Sequence, residues 1–148
     1  MSNKSRPVNL LLIEDNPGDV RLTQEAFKEG KLDYRLDVVM DGVEAIHFLR
    51  KKVPYQEAAT PDLILLDLNL PKKDGREVLA EIKEDPDLRR IPVIVLTTSN
   101  AERDILKTYD LHVNCYINKP VDFDRFFDII QIIEDFWLTT AILPGRMR

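Results

Sequence analysis

The chain carries five short apolar segments at even intervals, and this repetition restricts the folds open to it. The first, 8–13, has the sequence VNLLLI, and the fourth, 91–96, has the sequence IPVIVL. Continuous runs of β-forming residues, without polar alternation, are typical of strands buried on both faces of a parallel sheet. The other predicted strands are 34–40, 63–66 and 113–117.

Helical segments occupy the intervals between these strands. Asn16 and Pro17 are typical of a helix start, as N-cap and first helical residue, and the apolar stripe that follows ends at Gly30. The remaining predicted helices are 41–51, with Val43, Ile46 and Leu49 facing inward, then 74–85, 101–110 and 123–138, and 53–60 is a predicted surface loop. Alternation of this kind requires right-handed crossovers with helices on both faces of one sheet. The predicted fold is an α/β domain, a doubly wound five-stranded parallel sheet in (βα)5 order.

Length and composition agree with one globular domain. The chain has 148 residues, of which 44% are hydrophobic and 32% charged, so we expect a single domain over 1–148. Its core should span about 8–138, followed by a short tail at 139–148 that is first apolar and then basic. The formal net charge of −5 argues against a nucleic-acid partner. No apolar stretch approaches the roughly 20 residues of a membrane span, no secretory segment is evident and Cys115 is the single cysteine, so we expect a cytoplasmic protein.

Polar residues follow four of the five predicted strands. Ligand sites of parallel sheets lie beyond the carboxyl ends of the strands, so these residues should share one edge. They are Glu14 and Asp15 after the first strand, Asp67 after the third, Thr97 to Ser99 after the fourth, and Asn118, Lys119 and Pro120 after the fifth. Crowded carboxylates repel one another unless a cation lies among them, and an oxygen-only site suits Mg²⁺. With a lysine and a hydroxyl nearby, these are the parts of a phosphoryl-transfer site.

These residues resemble the receiver domain of two-component response regulators. The resemblance rests on four motifs in order, which are Glu14-Asp15, the segment DLNLPKKDG at 67–75, Thr97, and Lys119-Pro120. It covers about 8–138, and it implies the flavodoxin-like receiver fold and a phosphoryl-accepting signalling protein rather than an enzyme. The stretch 89–99 and the apolar last helix are most similar to small single-domain regulators paired with cyanobacterial and bacterial phytochrome histidine kinases.

The resemblance implies an acceptor and a metal set. Asp67 matches the phospho-acceptor, whose carboxylate attacks phosphorus as a nucleophile. Asp15 matches the residue that binds Mg²⁺ directly. Glu14 matches its neighbour, which commonly reaches the metal through water and is Asp in many members. Asn69 would add its backbone carbonyl, so the implied metal set is Glu14, Asp15, Asp67 and Asn69.

Further roles follow from the same resemblance. Thr97 matches the switch hydroxyl that bonds the new phosphoryl group, and Lys119 matches the lysine that pairs with it, before a Lys119–Pro120 bond expected to be cis. Tyr116 matches the aromatic residue that moves inward with Thr97. Asn69 and Ser99 occupy positions that tune hydrolysis of the acyl phosphate.

Three other interpretations remain open at this point. A phosphohydrolase with an aspartyl-phosphate intermediate usually places its nucleophile on the first strand, with a second Asp two residues later, whereas Asp67 follows the third and has Asn69 there. A flavodoxin-like cofactor binder would need a glycine-rich first turn, but the turn at 14–19 is EDNPGD. The third is a receiver that keeps the fold but is not phosphorylated. His47, His112 and Cys115 are interpreted as structural, Asp41 as a helix cap and Asp74 as a turn residue.

The last predicted helix is apolar around more than one face. Phenylalanine, isoleucine, tryptophan and leucine fill most of 123–138, beyond what one core-facing stripe needs. We therefore expect an exposed apolar patch and a two-fold homodimer through the predicted helix 101–110, the strand 113–117, the last helix and the tail. The alternative is a tail that folds back over its own domain.

Overall fold

The protein is described here from a computed structural model that covers residues 7–30, 32–97, 115–118 and 123–135. Five strands and four helices lie within these ranges. In chain order they are β1 (Val8–Ile13), α1 (Pro17–Lys28), β2 (Tyr34–Val39), α2 (Gly42–Leu49), β3 (Leu63–Asp67), α3 (Gly75–Glu84), β4 (Val93–Thr97), β5 (Cys115–Asn118) and α4 (Phe123–Ile133). The predicted helix 101–110 and the tail 139–148 lie outside the described residues.

The five strands form one parallel sheet in the order β2-β1-β3-β4-β5. This is the doubly wound order of flavodoxin-like folds, and it confirms the predicted fold class. The register brings β1 and β3 into direct contact, with Ile13 opposite Leu66. Glu14 and Asp67 follow these two residues, so they leave the sheet side by side.

Two separate hydrophobic cores cover the two faces of the sheet. Successive strand residues point to opposite faces, so Leu11 and Ile13 join the core beneath α2 and α3, whereas Leu10 and Leu12 join the core beneath α1 and α4. All four of these side chains are at most 1% exposed. Burial on both faces explains why β1 and β3 are almost continuously apolar, whereas the edge strand β2 alternates with polar residues at Arg35 and Asp37.

Side-chain caps begin the first three helices. The Asn16 side chain accepts a hydrogen bond from the Asp19 amide at 3.0 Å, and Asp41 accepts one from the Glu44 amide at 2.8 Å, as both were predicted to do. Asp74, predicted as a turn residue, is instead the N-cap of α3, in a capping box with Glu77. Satisfying the free amides at the start of α3 fixes where the helix begins after β3.

Several boundaries differ from the predictions. Val43 was expected to face inward but is 36% exposed, because steps of three residues drift about 60° each around a helix of 3.6 residues per turn. β4 begins at Val93 rather than at residue 91, since Pro92 has no amide to donate to a neighbouring strand. β2 ends one residue earlier than predicted, β3 extends to Asp67, and β5 is described from Cys115 to Asn118. The predicted loop 53–60 contains neither helix nor strand.

Candidate functional site

Three carboxylates converge where β1 and β3 end. Glu14, Asp15 and Asp67 each offer an oxygen within 4.8 Å of the others. Glu14 is 1% exposed and Asp67 2% exposed, whereas Asp15 is more accessible. The sheet therefore brings together the acidic residues that the sequence placed at one edge.

Backbone amides hold two of these carboxylates in place. The Asn16 amide donates to Glu14 Oε2 at 3.1 Å, and the Asn69 amide donates to Asp67 Oδ1 at 3.3 Å. The Glu14 amide itself donates to the Val39 carbonyl at 3.0 Å, which ties the end of β1 to β2. The carboxylates are thus oriented by the chain segments on either side of them.

The segment 68–74, which joins β3 to α3, is packed tightly at both ends. At one end the Gly75 amide donates to the Leu68 carbonyl at 3.0 Å, and a methyl group on Gly75 would lie 2.5 Å from the Asp67 carbonyl oxygen. At the other end a methyl group on Gly42 would lie 1.9 Å from the Lys73 carbonyl oxygen. Only glycine allows these close approaches. The segment that carries Asp67 into the site is therefore clamped between α2 and α3.

Charge pairs also connect the segment 68–74 to its neighbouring helices. Lys72 adopts a left-handed backbone conformation, with φ of 67°, and its Nζ lies 3.5 Å from Asp41 Oδ2. The Lys73 ammonium pairs with Glu81 on α3. Lys73 is partly exposed, and its hydrogen bond to Glu81 raises its pKa.

The donor set defines what the site can hold. Three converging carboxylates, two of them buried, repel one another, and a divalent cation relieves that repulsion. Carboxylate oxygens are the ligands that hard divalent cations prefer. Within the described part of the chain, Glu14, Asp15 and Asp67 form the one group of three or more acidic, histidine or cysteine side chains whose ligand atoms converge. The residues present therefore fit a divalent metal.

Only some of the remaining predicted site residues lie within the described part of the chain. Asn69 is exposed and directly follows the acidic end of β3. Since Asp67 lies opposite Leu96, the backbone of Thr97 reaches the same edge of the sheet, and Tyr116 lies opposite Val95 within β5. Ser99 and Lys119 lie outside the described residues, as does the Lys119–Pro120 bond.

Sequence reasoning missed two residues that the structure makes prominent. Gly42 follows the predicted cap Asp41, and the Asp-Gly pair at a helix start is the signal that could have drawn attention to it. Glu134 is 3% exposed at the end of the last helix. Its spacing from Phe127 and Ile130, at i, i+3 and i+7, places it on the buried stripe and could have revealed it.

Comparison with known proteins agrees with this geometry. The family model described as the response regulator receiver domain matches residues 10–131. The chain belongs to the response regulator receiver domain family, whose members are signalling proteins.

Individual relatives cover almost all of the chain. Response regulator Rcp1 of Synechocystis sp. (strain PCC 6803) is 52% identical over 98% of this chain and 99% of its own length. Among solved structures, the Mn²⁺-bound form of Rcp1 has a TM-score of 0.86 at 53% identity, covering 93% of this chain and 99% of that one. The phosphorylated cyanobacterial phytochrome response regulator RcpA has a TM-score of 0.87 at 55% identity, covering 95% and 99%. The predicted resemblance to regulators of phytochrome kinases is thereby confirmed.

Family membership also bears on the open alternatives. It favours a signalling protein over a phosphohydrolase or a flavin binder. Within the described residues, no helix combines the length and the apolar character that crossing a membrane requires.

Proposed function

We propose that this chain is a response regulator that accepts a phosphoryl group on Asp67 from a phosphohistidine of a sensor histidine kinase. The convergence of Glu14, Asp15 and Asp67 within 4.8 Å at adjacent strand ends is the observation that carries this proposal. Asp67 is the last residue of a buried strand, and its carboxylate is oriented by the Asn69 amide. A nucleophile held in this way loses little freedom when the donor arrives.

In the proposed reaction an oxygen of Asp67 attacks phosphorus and forms the new P–O bond. The P–N bond to the donor imidazole breaks, its electron pair stays on the nitrogen, and that nitrogen takes up a proton. Phosphoryl transfer depends on positioning and charge neutralisation, so the acidic partners and cations around Asp67 matter more than a strong base.

Mg²⁺ is the proposed cofactor, held by Glu14, Asp15 and Asp67 with the backbone carbonyl of Asn69. When bound, it neutralises charge that develops on the phosphoryl oxygens. The Mn²⁺-bound form of the relative Rcp1 supports a divalent cation in this family. The chain's own contribution is a set of carboxylates fixed at one sheet edge before the metal arrives.

The remaining assignments rest on the family motifs. Lys119 would pair with the phosphoryl group, and the Thr97 hydroxyl would donate a hydrogen bond to it. Tyr116 would follow Thr97 inward and change the face around β5. Asn69 and Ser99 would set how fast the acyl phosphate is hydrolysed.

We also propose a phytochrome-type kinase as partner and a single receiver domain as the working unit. The names of two similar structures, RcpA and the bacteriophytochrome response regulator AtBRR, refer to phytochromes. Rcp1 and this chain align over nearly their whole lengths. In this proposal the phosphorylated domain passes its signal by binding another protein.

A homodimer forms the second part of the proposal. It would use the face around β5 and α4, with the predicted helix 101–110 and the tail. On α4, Ile132 is 65% exposed beside the buried Ile130 and Ile133, which supports an apolar surface there.

Intact mass spectrometry tests the phosphoryl-acceptor assignment. The protein is incubated with Mg²⁺ and acetyl phosphate, alongside Asp67→Asn and the control Asp87→Asn, which changes an exposed carboxylate elsewhere. We expect one phosphoryl adduct on wild type and control, lost with a chelator and absent from Asp67→Asn. An adduct that persists in Asp67→Asn would rule out this acceptor.

If folded wild type forms no adduct, the test is repeated with a phosphorylated phytochrome-type kinase. Failure of both donors would identify the chain as a receiver that keeps the fold without phosphorylation.

A further inference from the structure

A cavity with acidic side chains in its lining lies at the edge of the sheet opposite the carboxylate triad. Helices α1 and α4 both run from the site edge toward the other edge, and their C-terminal ends meet there beside the start of β2. The cavity has a volume of about 390 Å³, and its lining consists of Gly30, Leu32 and the polar residues Glu29, Asp33, Gln131, Glu134 and Asp135. We call it the α1–α4 cavity.

Glu134 is the buried member of this lining. It is 3% exposed, and its Oε2 atom is enclosed without a hydrogen-bond partner in the described part of the chain. Its carboxylate lies against Gly30, where an added methyl group would come within 2.2 Å of Oε1. Glu134 is one of the residues that line the cavity, and its carboxylate lies at the contact between the end of α4 and Gly30. Burying such a group is costly unless a positively charged or hydrogen-bonding group meets it.

Most of the polar side chains described in the lining are acidic. Burial raises the pKa of Glu134, and the charge of Asp135 raises it further. Burial also raises the pKa of the Tyr34 phenol, with additional contributions from Glu134 and Glu25. Glu29 and Asp33 are exposed at the rim. A cation entering the cavity would thus meet one desolvated carboxylate and several accessible ones.

The arrangement distinguishes between kinds of cation. A compact metal site needs several ligand atoms converging on one point, and among the described residues the group that meets this condition is the Glu14, Asp15 and Asp67 triad. The carboxylates of the α1–α4 cavity are spread around its wall instead. A planar guanidinium has five donors pointing in different directions and sheds water more readily than an ammonium group, so it suits dispersed acceptors around a buried one.

We propose that the α1–α4 cavity binds a guanidinium group of the kind carried by arginine, with Glu134 as its buried carboxylate partner. Glu29, Asp33 and Asp135 attract the cation at the rim, and Glu134 pairs with it inside. The Gln131 side-chain nitrogen donates to the Ala26 carbonyl at 3.4 Å, which connects α4 to α1 beside the cavity. This binding is independent of phosphorylation at Asp67.

Nuclear magnetic resonance titration of the full chain tests the proposal. The probes are N-acetyl-arginine amide, free L-arginine, N-acetyl-lysine amide and CaCl₂, and the reporters are the Gly30 amide and the Gln131 side-chain amide. We expect saturable shifts with both arginine compounds and a weaker response to the lysine compound. Tighter binding of the capped compound would identify an arginine within a polypeptide as the source, and tighter binding of L-arginine would identify the free amino acid.

Matched variants separate Glu134 from general charge effects. Glu134→Gln should weaken arginine binding about tenfold, equivalent to about 1.4 kcal/mol. Glu57→Gln removes the same charge from an exposed position in the loop that packs near α2, and it should leave the binding unchanged. Glu134→Gln keeps the side-chain shape and removes a buried charge, so a thermal melt at neutral pH should show a folded protein.

Four results would overturn the proposal. The first is the absence of saturable shifts with arginine compounds, and the second is unaltered binding by Glu134→Gln. The third is Ca²⁺ binding at the same reporters in preference to guanidinium. Lys31 stands between two lining segments in the sequence and lies outside the described residues. Binding that appears only in Lys31→Ala would show that the chain fills the cavity with its own lysine, and it would equally overturn the proposal.

Discussion

At the scale of single residues, Tyr55 attaches the loop before β3 to helix α2. Its hydroxyl donates to Glu44, and its ring contacts Phe48 with centroids 5.3 Å apart. The hydrogen bond to Glu44 is the main cause that raises the pKa of Tyr55 to about 12, with burial second. The neutral phenol is therefore the form that the folded state prefers.

Tyr55→Phe should lower the free energy of unfolding by about 1 kcal/mol at pH 7, the usual contribution of one hydrogen bond. Because the folded pKa lies above the unfolded value of 10.0, this stabilisation is fully present below pH 10 and is lost as the pH rises through about 12. Urea unfolding from pH 7 upward measures both effects. Tyr34→Phe is the matched control, and an equal loss in the two variants would contradict the role of Glu44.

Single residues also show what the sequence could and could not predict. That Glu14 and Asp67 lie at the same edge of the sheet was predictable, because the carboxyl ends of parallel strands share an edge whatever the details of packing. That they are neighbours depends on β1 lying beside β3. The burial of Glu134 was not predictable, since it depends on how closely α4 approaches Gly30 across the molecule. Local patterns report the face of a helix but not the neighbour that covers it.

At the scale of elements, the segment 68–74 depends on two glycines at its contacts with α2 and α3. Gly42 meets the Lys73 carbonyl and Gly75 meets the Asp67 carbonyl. In each case the neighbouring atom belongs to the backbone, which cannot rotate away as a side chain can. The position of Asp67 is thereby coupled to the placement of both helices.

Gly42→Ala should destabilise the protein by about 1–3 kcal/mol, the usual cost of forcing an extra group into a packed region. It should also reduce the rate of phosphoryl adduct formation, because the segment behind Asp67 must shift. Gly18→Ala is the control, since its added methyl group would meet only the Asn16 side chain at 3.2 Å. Urea unfolding and the adduct assay measure the two effects. Similar behaviour of both alanine variants would show that the contact with Lys73 is unimportant.

The elements themselves were predicted best where local sequence decides the outcome. β1 matches its predicted limits because the apolar run begins and ends with the strand. β4 starts later than predicted because Pro92 has no amide to donate, and Val43 lies outside the core because steps of three residues drift around the helix. The start of β4 and the burial of Val43 were predicted wrongly because the positions of apolar residues alone do not report backbone hydrogen bonding or the angular spacing of side chains around a helix.

At the scale of the whole molecule, the strand order could not be derived from the alternation of strands and helices alone. Alternation requires crossovers but leaves open which strands become neighbours, and the order β2-β1-β3-β4-β5 is a finding of the structure. The assembly of two copies is likewise a property of surfaces, and it remains a prediction.

Ile132→Asp should convert the proposed dimer into a monomer, because it places a charge on the exposed apolar side of α4. Ile132 is 65% exposed, and Val53, at 71%, offers a matched position in the loop before β3. Size-exclusion chromatography with light scattering should give a dimer for wild type and Val53→Asp, and a monomer for Ile132→Asp. A wild type that is already monomeric would exclude the dimer.

The division of the interior into two cores has a consequence for how such a chain can change over generations. The segment that carries the acceptor rests on α2 and α3, whereas α1 and α4 pack on the other core, and the two cores share no residue. Substitutions that accumulate on the α1 and α4 side can therefore adapt the protein to new partners while the core beneath the segment that carries Asp67 is retained. Related proteins can therefore diverge in the partners that they bind without changes in the core that supports Asp67.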